Sequence, residues 1–354
     1  MSQQLTSDGP FKAHNRNKRQ EVKLRDVAAA AGVSITTASR ALSEPKKVRA
    51  DTLARVMSAA KSLGYLPNSA ARALRSRRTR LIGVILPTMN YAIYSLQVEA
   101  LQNELARHGY SLLVTSSGYS TLEEMHQART LIERGVEGLV LIGGEHHPDL
   151  TSLLEKRDIP SIDTYIYNPE GKSSCVGFNN VAISARAIHH LCDLGHRRIA
   201  MVAGITKDND RAKQRVDGVK AALRERGLPL SPDYIIEKPY TIAAGREAFR
   251  KLFSTEPHPT AIFCASDVLA FGVLVECSNR GVEIPKQLSV IGFDNLEFCA
   301  HLPPGMTTIE VPAATMGESA ARHLIARLSG NSERAHIELE ASLIVRGTTA
   351  PPSL

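Results

Sequence analysis

No run of apolar residues in this 354-residue chain approaches the roughly 18 to 20 that a helix needs to cross a bilayer. The first twenty residues, MSQQLTSDGPFKAHNRNKRQ, contain no apolar stretch either. That composition argues against a secretory signal, and cytoplasm is the expected location. Cysteine is scarce: Cys175, Cys192, Cys264, Cys277 and Cys299 are odd in number, widely spread and contain no C-x-x-C pair. A disulfide framework and a structural zinc site are therefore not expected, and the five read as small buried hydrophobes. Enzyme signatures are missing as well. Gly143-Gly144 is not continued into G-x-G-x-x-G, and there is no G-x-S-x-G elbow and no Walker sequence. His189, His190 and Cys192 point to different faces of one helix, with His196 in the turn beyond. No metal, cofactor or catalytic residue is expected.

What is present is strongly asymmetric in charge. Residues 1–80 carry seventeen Lys or Arg against five Asp or Glu, whereas the rest of the chain carries twenty-six against thirty-one. One end is a polycation on a mildly acidic body, which points to a polyanionic partner for the N-terminal part. The length implies two or three domains, and 43% hydrophobic with 22% charged residues is ordinary for a globular protein.

Along the chain, residues 1–20 lack periodicity and read as a disordered basic tail. Three short helices follow. Leu24, Val27, Ala28 and Ala31 recur at helical spacing before Gly32; Ser34 is an N-cap for a helix through Leu42; Leu53, Val56, Met57, Ala60 and Leu63 form one face before Gly64. Two short helices joined by Gly32-Val33, with a third behind, outline a helix-turn-helix domain over 21–66. Residues 67–80 combine a short helix-forming stretch with a basic tether and mark a boundary. From Leu81 the pattern becomes βαβα, with the clearest strands at 82–86, 111–115, 138–142, 198–203, 261–265 and 289–293. Amphipathic stretches lie at 96–107, 122–134, 181–194, 214–226 and 268–280. That alternation predicts parallel sheets covered on both faces by helices, and the length suffices for two sheets with a cleft between them.

A helix-turn-helix reads the major groove with the first turns of its second helix. Here Ile35 and Thr36 offer methyl and hydroxyl contacts, and Arg40 has the fork that grips guanine O6 and N7. Ser34, Thr37, Ser39, Arg49 and Arg55 are expected on phosphates. In open α/β sheets ligands bind beyond the carboxyl ends of strands. Asn90, Ser266, Asp267 and Asp294 occupy such positions.

LRDVAAAAGVSITTASRALSEPKKV, followed by LGYLPNSAARALRSRRTRLIGVILP, resembles the start of a LacI/GalR-family regulator. GLVLIGG, LGHRRIAMVAG, QRVDGVKAAL, AIFCASDVLAFG, LSVIGFDN and MTTIEVP follow in the family's order, so that the resemblance spans residues 22–348. It implies an all-α helix-turn-helix domain with a hinge helix, then a two-lobed sensor of periplasmic-binding-protein type over 81–354. The lobes would comprise 81–178 with 310–340, and 179–309 with 341–354. Asn68 to Leu74 match the hinge helix, and Leu74 matches the leucine that wedges into the operator's central minor groove. Asn68, Ala71 and Arg75 join the DNA contacts, Ala71 and Ala73 allowing paired hinge helices to approach. Arg49 departs from the family, which places a Ser or Thr cap there, and leaves the start of the third helix to Asp51. The resemblance also implies that Arg215 clamps an effector and that Asp294 accepts hydrogen bonds from a sugar or base. Tyr94, Tyr165 and Tyr240 fall near pocket positions, and Arg211 lies where this chain is one residue longer than usual.

The expected function is a ligand-responsive, sequence-specific DNA-binding repressor. It would bind a near-palindromic double-stranded operator as a homodimer, with a sugar or sugar acid favoured as effector and a purine as the alternative. No heptad tail follows Glu340, which favours a dimer over a coiled-coil tetramer. A sugar-binding module of periplasmic type is opposed by the basic N-terminal unit. An α/β enzyme with an added DNA-binding domain lacks any nucleophile–base or metal constellation.

Overall fold

The computed structural model describes residues 22–66, 78–229 and 231–353. The expected tail and most of the expected hinge segment, including Asn68, Ala71, Leu74 and Arg75, lie outside the described residues. The chain divides into two compact units, Met1–Thr79 and Arg80–Leu354.

In the first unit α1 (Leu24–Ala31), α2 (Ile35–Ser43) and α3 (Ala50–Ser62) pack around Val27, Ala28, Ala31, Ala38, Ala41, Val56, Ala59 and Ala60. Small side chains dominate this core, so the helices approach closely. Gly32 ends α1 in the left-handed region and Ser34 caps α2 by accepting from the Thr37 amide. The α3 face differs from expectation. Ala59 is buried there, whereas Met57 and Leu63 are exposed, because α1 and α2 cover the Val56, Ala59 and Ala60 side of the helix. Arg49 stands at the N-cap of α3 without capping it, and Asp51 supplies the negative charge in the first turn.

The second unit contains two six-stranded sheets. The first has the order β11-β5-β4-β3-β1-β2, all parallel, from β1 (Leu81–Leu86), β2 (Ser111–Ser116), β3 (Gly138–Ile142), β4 (Ser161–Thr164), β5 (Ser174–Gly177) and β11 (His336–Glu338). The second has the order β12-β10-β9-β8-β6-β7, from β6 (Ile199–Gly204), β7 (Ile235–Lys238), β8 (Ala261–Cys264), β9 (Ser289–Asp294), β10 (Thr307–Glu310) and β12 (Ser342–Ile344). Only the β10–β12 pair of that sheet is antiparallel. Strands such as β1, β3 and β6 are almost continuously apolar because helices cover both faces.

Each sheet with its helices forms one lobe. In the first, α4 (Ala92–Arg107) packs on α12 (Ala313–Leu328) over one face. On the other face, α5 (Thr121–Glu133) and α6 (Pro148–Arg157) cover a separate core around Leu139, Leu141 and Leu150. In the second lobe α7 (Asn180–Asp193) packs on α8 (Asp210–Glu225), and α9 (Ile242–Leu252) on α10 (Asp267–Arg280). A short α11 (Phe298–His301) precedes β10. The chain crosses between lobes three times: after β5, after β10, and between β11 and β12.

Candidate ligand cleft and nucleic-acid face

On the first unit the outer face of α2 presents side chains that the small helical core does not use. Ile35 is 54% exposed, and Thr36 and Arg40 are exposed beside it. Together with Leu24, Ser39, Ser43 and Glu44 they line a shallow depression of about 310 Å³. Ser34 and Thr37 are already engaged with each other, Oγ to Oγ1 at 2.8 Å and Thr37 N to Ser34 Oγ at 3.0 Å. Ser34 therefore has a local structural task as well as any task toward phosphate. Arg49 and Arg55 are exposed.

In the second unit the carboxyl ends of β1, β3, β6 and β9 face a cleft between the lobes. Tyr91, at the start of α4, reaches across it and donates its hydroxyl to the Asp294 carboxylate at the end of β9. Its ring lies parallel to Tyr240, with centroids 5.3 Å apart at 5°. Tyr94 meets Tyr91 and Tyr165 edge-on at 5.7 Å and 5.4 Å, and the Tyr165 hydroxyl donates to the Ile93 carbonyl at 3.2 Å. Burial, with the charge of Asp267 nearby, pushes the Asp294 carboxyl well above the usual carboxylate range. Tyr119, Tyr165, Asp208 and Asp294 all line the cleft at positive φ although none is glycine. Strained backbone of this kind concentrates where side chains are held for a ligand.

Polar side chains tie the lobes together. Arg215 stacks its guanidinium on Phe293, Cζ 3.7 Å from the ring centroid. It donates from Nε to Asn180 Oδ1 at 3.0 Å and from Nη1 to the Ala265 carbonyl at 2.9 Å. Asn180 in turn donates to the Tyr165 carbonyl at 2.9 Å. Arg211 donates from Nη1 to the Ile142 carbonyl at 2.8 Å and to Asp210 Oδ1 at 3.0 Å. Asp210 Oδ2 accepts from the Gly144 amide at 2.8 Å. Gly143 has φ +91° and lies where any Cβ would collide with the Arg211 guanidinium, so glycine is required at this contact.

The cleft consists of two spaces. The inner one, bounded by Tyr94, Tyr165, Arg211, Arg215 and Asp294, has only about 10 Å³ open. The outer one measures about 570 Å³ and includes Asn90, Tyr119, Lys207, Asp208 and Thr241 in its walls. Tyr91, Tyr119, Asn209 and Tyr240 border both.

Of the expected effector residues, Asn90, Tyr94, Tyr165, Arg211, Arg215, Tyr240 and Asp294 therefore converge on this cleft. Ser266 and Asp267 are fully buried behind the cleft wall, beside Tyr91 and Asp294, and border neither space. Ser266 caps α10 through the Leu269 amide. The fully buried Asp267 accepts from the Thr308 hydroxyl at 2.5 Å and the Leu296 amide at 2.7 Å, which spends both oxygens on holding β9 and β10. Sequence reasoning passed over Tyr91, Tyr119, Asn180, Asn209 and Asp210. Asn209 and Asp210 stand beside Arg211 at the start of α8, a local signal for both, whereas Tyr91, Tyr119 and Asn180 carry none. His189, His190 and His196 each hold separate partners, Glu225, Thr349 and the Thr260–Ser289 pair. Among the described residues no group of three His, Cys, Asp or Glu could hold a metal, and no helix is long and apolar enough to cross a membrane.

Comparison with known proteins agrees with both halves. Residues 23–68 match the bacterial regulatory proteins of the lacI family, and residues 188–349 match a periplasmic binding protein-like domain. The HTH-type transcriptional repressor CytR of Escherichia coli strain K12 is 32% identical over 336 residues, covering 94% of this chain and 98% of that protein. The lac repressor dimer bound to operator and the anti-inducer ONPF superposes with a TM-score of 0.84 at 25% identity, covering 94% of this chain and all of that one. A complex of the transcriptional regulator CelR with cellobiose superposes with a TM-score of 0.69 at 28% identity, covering 92% and 99%.

Proposed function

The chain belongs to the lacI family of bacterial regulatory proteins, and from that premise we propose that it is a repressor which binds a near-palindromic operator as a dimer and answers to a sugar-like effector in the interlobe cleft. A ligand-responsive DNA-binding regulator is what the family makes it. The finer reading rests on one observation: polar and aromatic side chains from both lobes meet across a cleft, with Tyr91 on Asp294 and Arg211 on Ile142. A ligand placed there changes contacts that belong to both lobes at once, and so changes the angle between them.

In this reading α2 of each subunit enters the major groove. Arg40 reads guanine, Ile35 and Thr36 meet base edges, and Thr37, Ser39, Arg49 and Arg55 hold phosphates with Ser34. Asn68, Ala71, Leu74 and Arg75 act at the central minor groove, on the strength of the resemblance alone. The domain limits follow the same scheme, 21–66 for the DNA reader, 67–80 for the hinge and 81–354 for the sensor. A location in the cytoplasm goes with it.

The test is a fluorescence-anisotropy titration of full-length protein against duplexes selected from a random library. Preference for a near-palindromic sequence over scrambled DNA by about 10³ or more at moderate salt is expected. Equal affinity for all duplexes overturns the reading. Leu74→Ala is expected to weaken specific binding while leaving sugar affinity intact, and equal losses in both would contradict the division of labour.

A further inference from the structure

We propose that the first lobe has a binding site of its own, away from the interlobe cleft, for a small zwitterion of amino-acid or dipeptide size. The site is a cavity of about 360 Å³ between α6 and the start of β5, within the range of small-molecule sites. It shares no lining residue with either space of the cleft. Ser161 and Ser174, the first residues of β4 and β5, belong to its wall. The cavity therefore reaches the amino end of the parallel sheet, whereas the cleft lies at the carboxyl end.

The charged groups around this space come from two directions. Glu155, in the last turn of α6, and Asp158, just beyond that helix, are acidic. Lys172 before β5, Arg327 in the last turn of α12 and Arg334 before β11 are basic. Among the described residues none of the five forms an ion pair, although both signs border one cavity. Arg327 donates from Nη1 to the Ser332 carbonyl at 2.6 Å, which holds it in place without neutralising it. The buried carboxylates are already taken, since Glu124 and Asp163 share His146 at 2.7 Å and 3.2 Å. An incoming ammonium group is thus left to Glu155 and Asp158, and a carboxylate to the three cations. A plain anion would face two carboxylates, and a polyamine three cations, and like charges brought together oppose binding. A molecule with both groups gives each set its opposite. Leu154, Ile159 and Pro160 add an apolar stretch of wall for an aliphatic side chain.

Full-length protein is titrated by calorimetry with glycine, leucine, glutamine and glycylleucine. Two temperatures are used, so that a binding enthalpy near zero at one shows at the other. Whichever compound binds is then compared with its N-acetylated form, which lacks the ammonium, and its C-amidated form, which lacks the carboxylate. Saturable binding of at least one zwitterion, with both blocked forms about tenfold or more weaker, is the expected result. Glu155→Gln and Arg334→Gln change exposed side chains, and each should weaken that binding about fivefold or more. A blocked form that binds as tightly as its parent overturns the proposal, because one set of charges would then suffice. Unchanged binding in both folded variants overturns it too, since the ligand would sit elsewhere. So does the absence of saturable binding by all four compounds.

Discussion

His146 stands between two carboxylates where almost no water reaches. Its side chain is 8% exposed between Glu124 at 2.7 Å and Asp163 at 3.2 Å. Burial alone would lower its pKa, but hydrogen bonds and charge from the two carboxylates more than offset this and push it up to about 10. The folded state therefore binds the proton more tightly than the unfolded chain, whose histidine titrates near 6.5. The resulting stabilisation is complete below pH 6.5 and drains away as pH rises toward about 10. Melting temperature should fall more steeply over that interval in the wild type than in His146→Gln; parallel curves would refute the pairing. At the same scale, Ser34→Ala removes the α2 cap and should cost about 1 kcal/mol in the stability of the N-terminal unit, measured by helix melting. Such residues differ in how well a sequence shows them. Arg215 and Asp294 are marked by motif and by strand ends. Tyr91 is not, because its partner lies 203 residues away and nothing local distinguishes it from Asn90. Asp267 stands after a strand as Asp294 does, and only the position of Thr308 reveals that it supports the sheet.

Helices α9 and α10 cross at glycine on both sides. A Cβ on Gly272 would run into the Ile242 carbonyl and lie 2.9 Å from Gly245 Cα, with backbone that cannot swing aside. Gly272→Ala should therefore destabilise the protein by about 1–3 kcal/mol in chemical denaturation. A change near zero would mean that the two helices separate easily. This contact escapes pattern reading because it depends on what a residue lacks. The six clearest expected strands coincide with β1, β2, β3, β6, β8 and β9 to within a residue at each end, since five are apolar runs buried on both faces and the sixth, the half-exposed edge strand β2, still carries an apolar Leu112–Val114 centre. Strands β4, β5, β7, β10, β11 and β12 have three or four residues each and, unlike the equally short but wholly apolar β8, mix in polar residues, so neither a periodicity nor an apolar run stands out from neighbouring turns. Helix α8 begins at Asp210, four residues before its apolar stripe suggests, because Asn209 caps a first turn in which Asp210, Arg211 and Lys213 are charged. Those charged residues are the ones that reach the other lobe.

The molecule keeps its positive charge at one end, and DNA binding should carry that signature. Raising salt from about 50 to 200 mM should weaken operator binding by about 10³ to 10⁵, as expected for several phosphate contacts. A shallow dependence would show that the basic N-terminal part is not the DNA contact. Between the lobes, Asp210→Ala removes the acceptor for the Gly144 amide and one partner of Arg211. It should shift the effector concentration needed for the half-maximal change in operator binding about five- to hundredfold, the usual scale of such coupling. Operator titrations across a sugar series would measure that shift. The two-sheet architecture was legible from βα alternation, but the pathway between lobes was not, since it turns on where three short linkers fall. The last of these linkers has a further consequence. Residues 336–338 and 342–344 are near neighbours in the chain, yet they border opposite sheets. The C-terminal segment is thus a seam sewn into both halves of the sensor, and a stop codon at position 336 would strip an edge from each. Neither half is a contiguous stretch of gene, so this sensor can be inherited, swapped or fused only as a single piece.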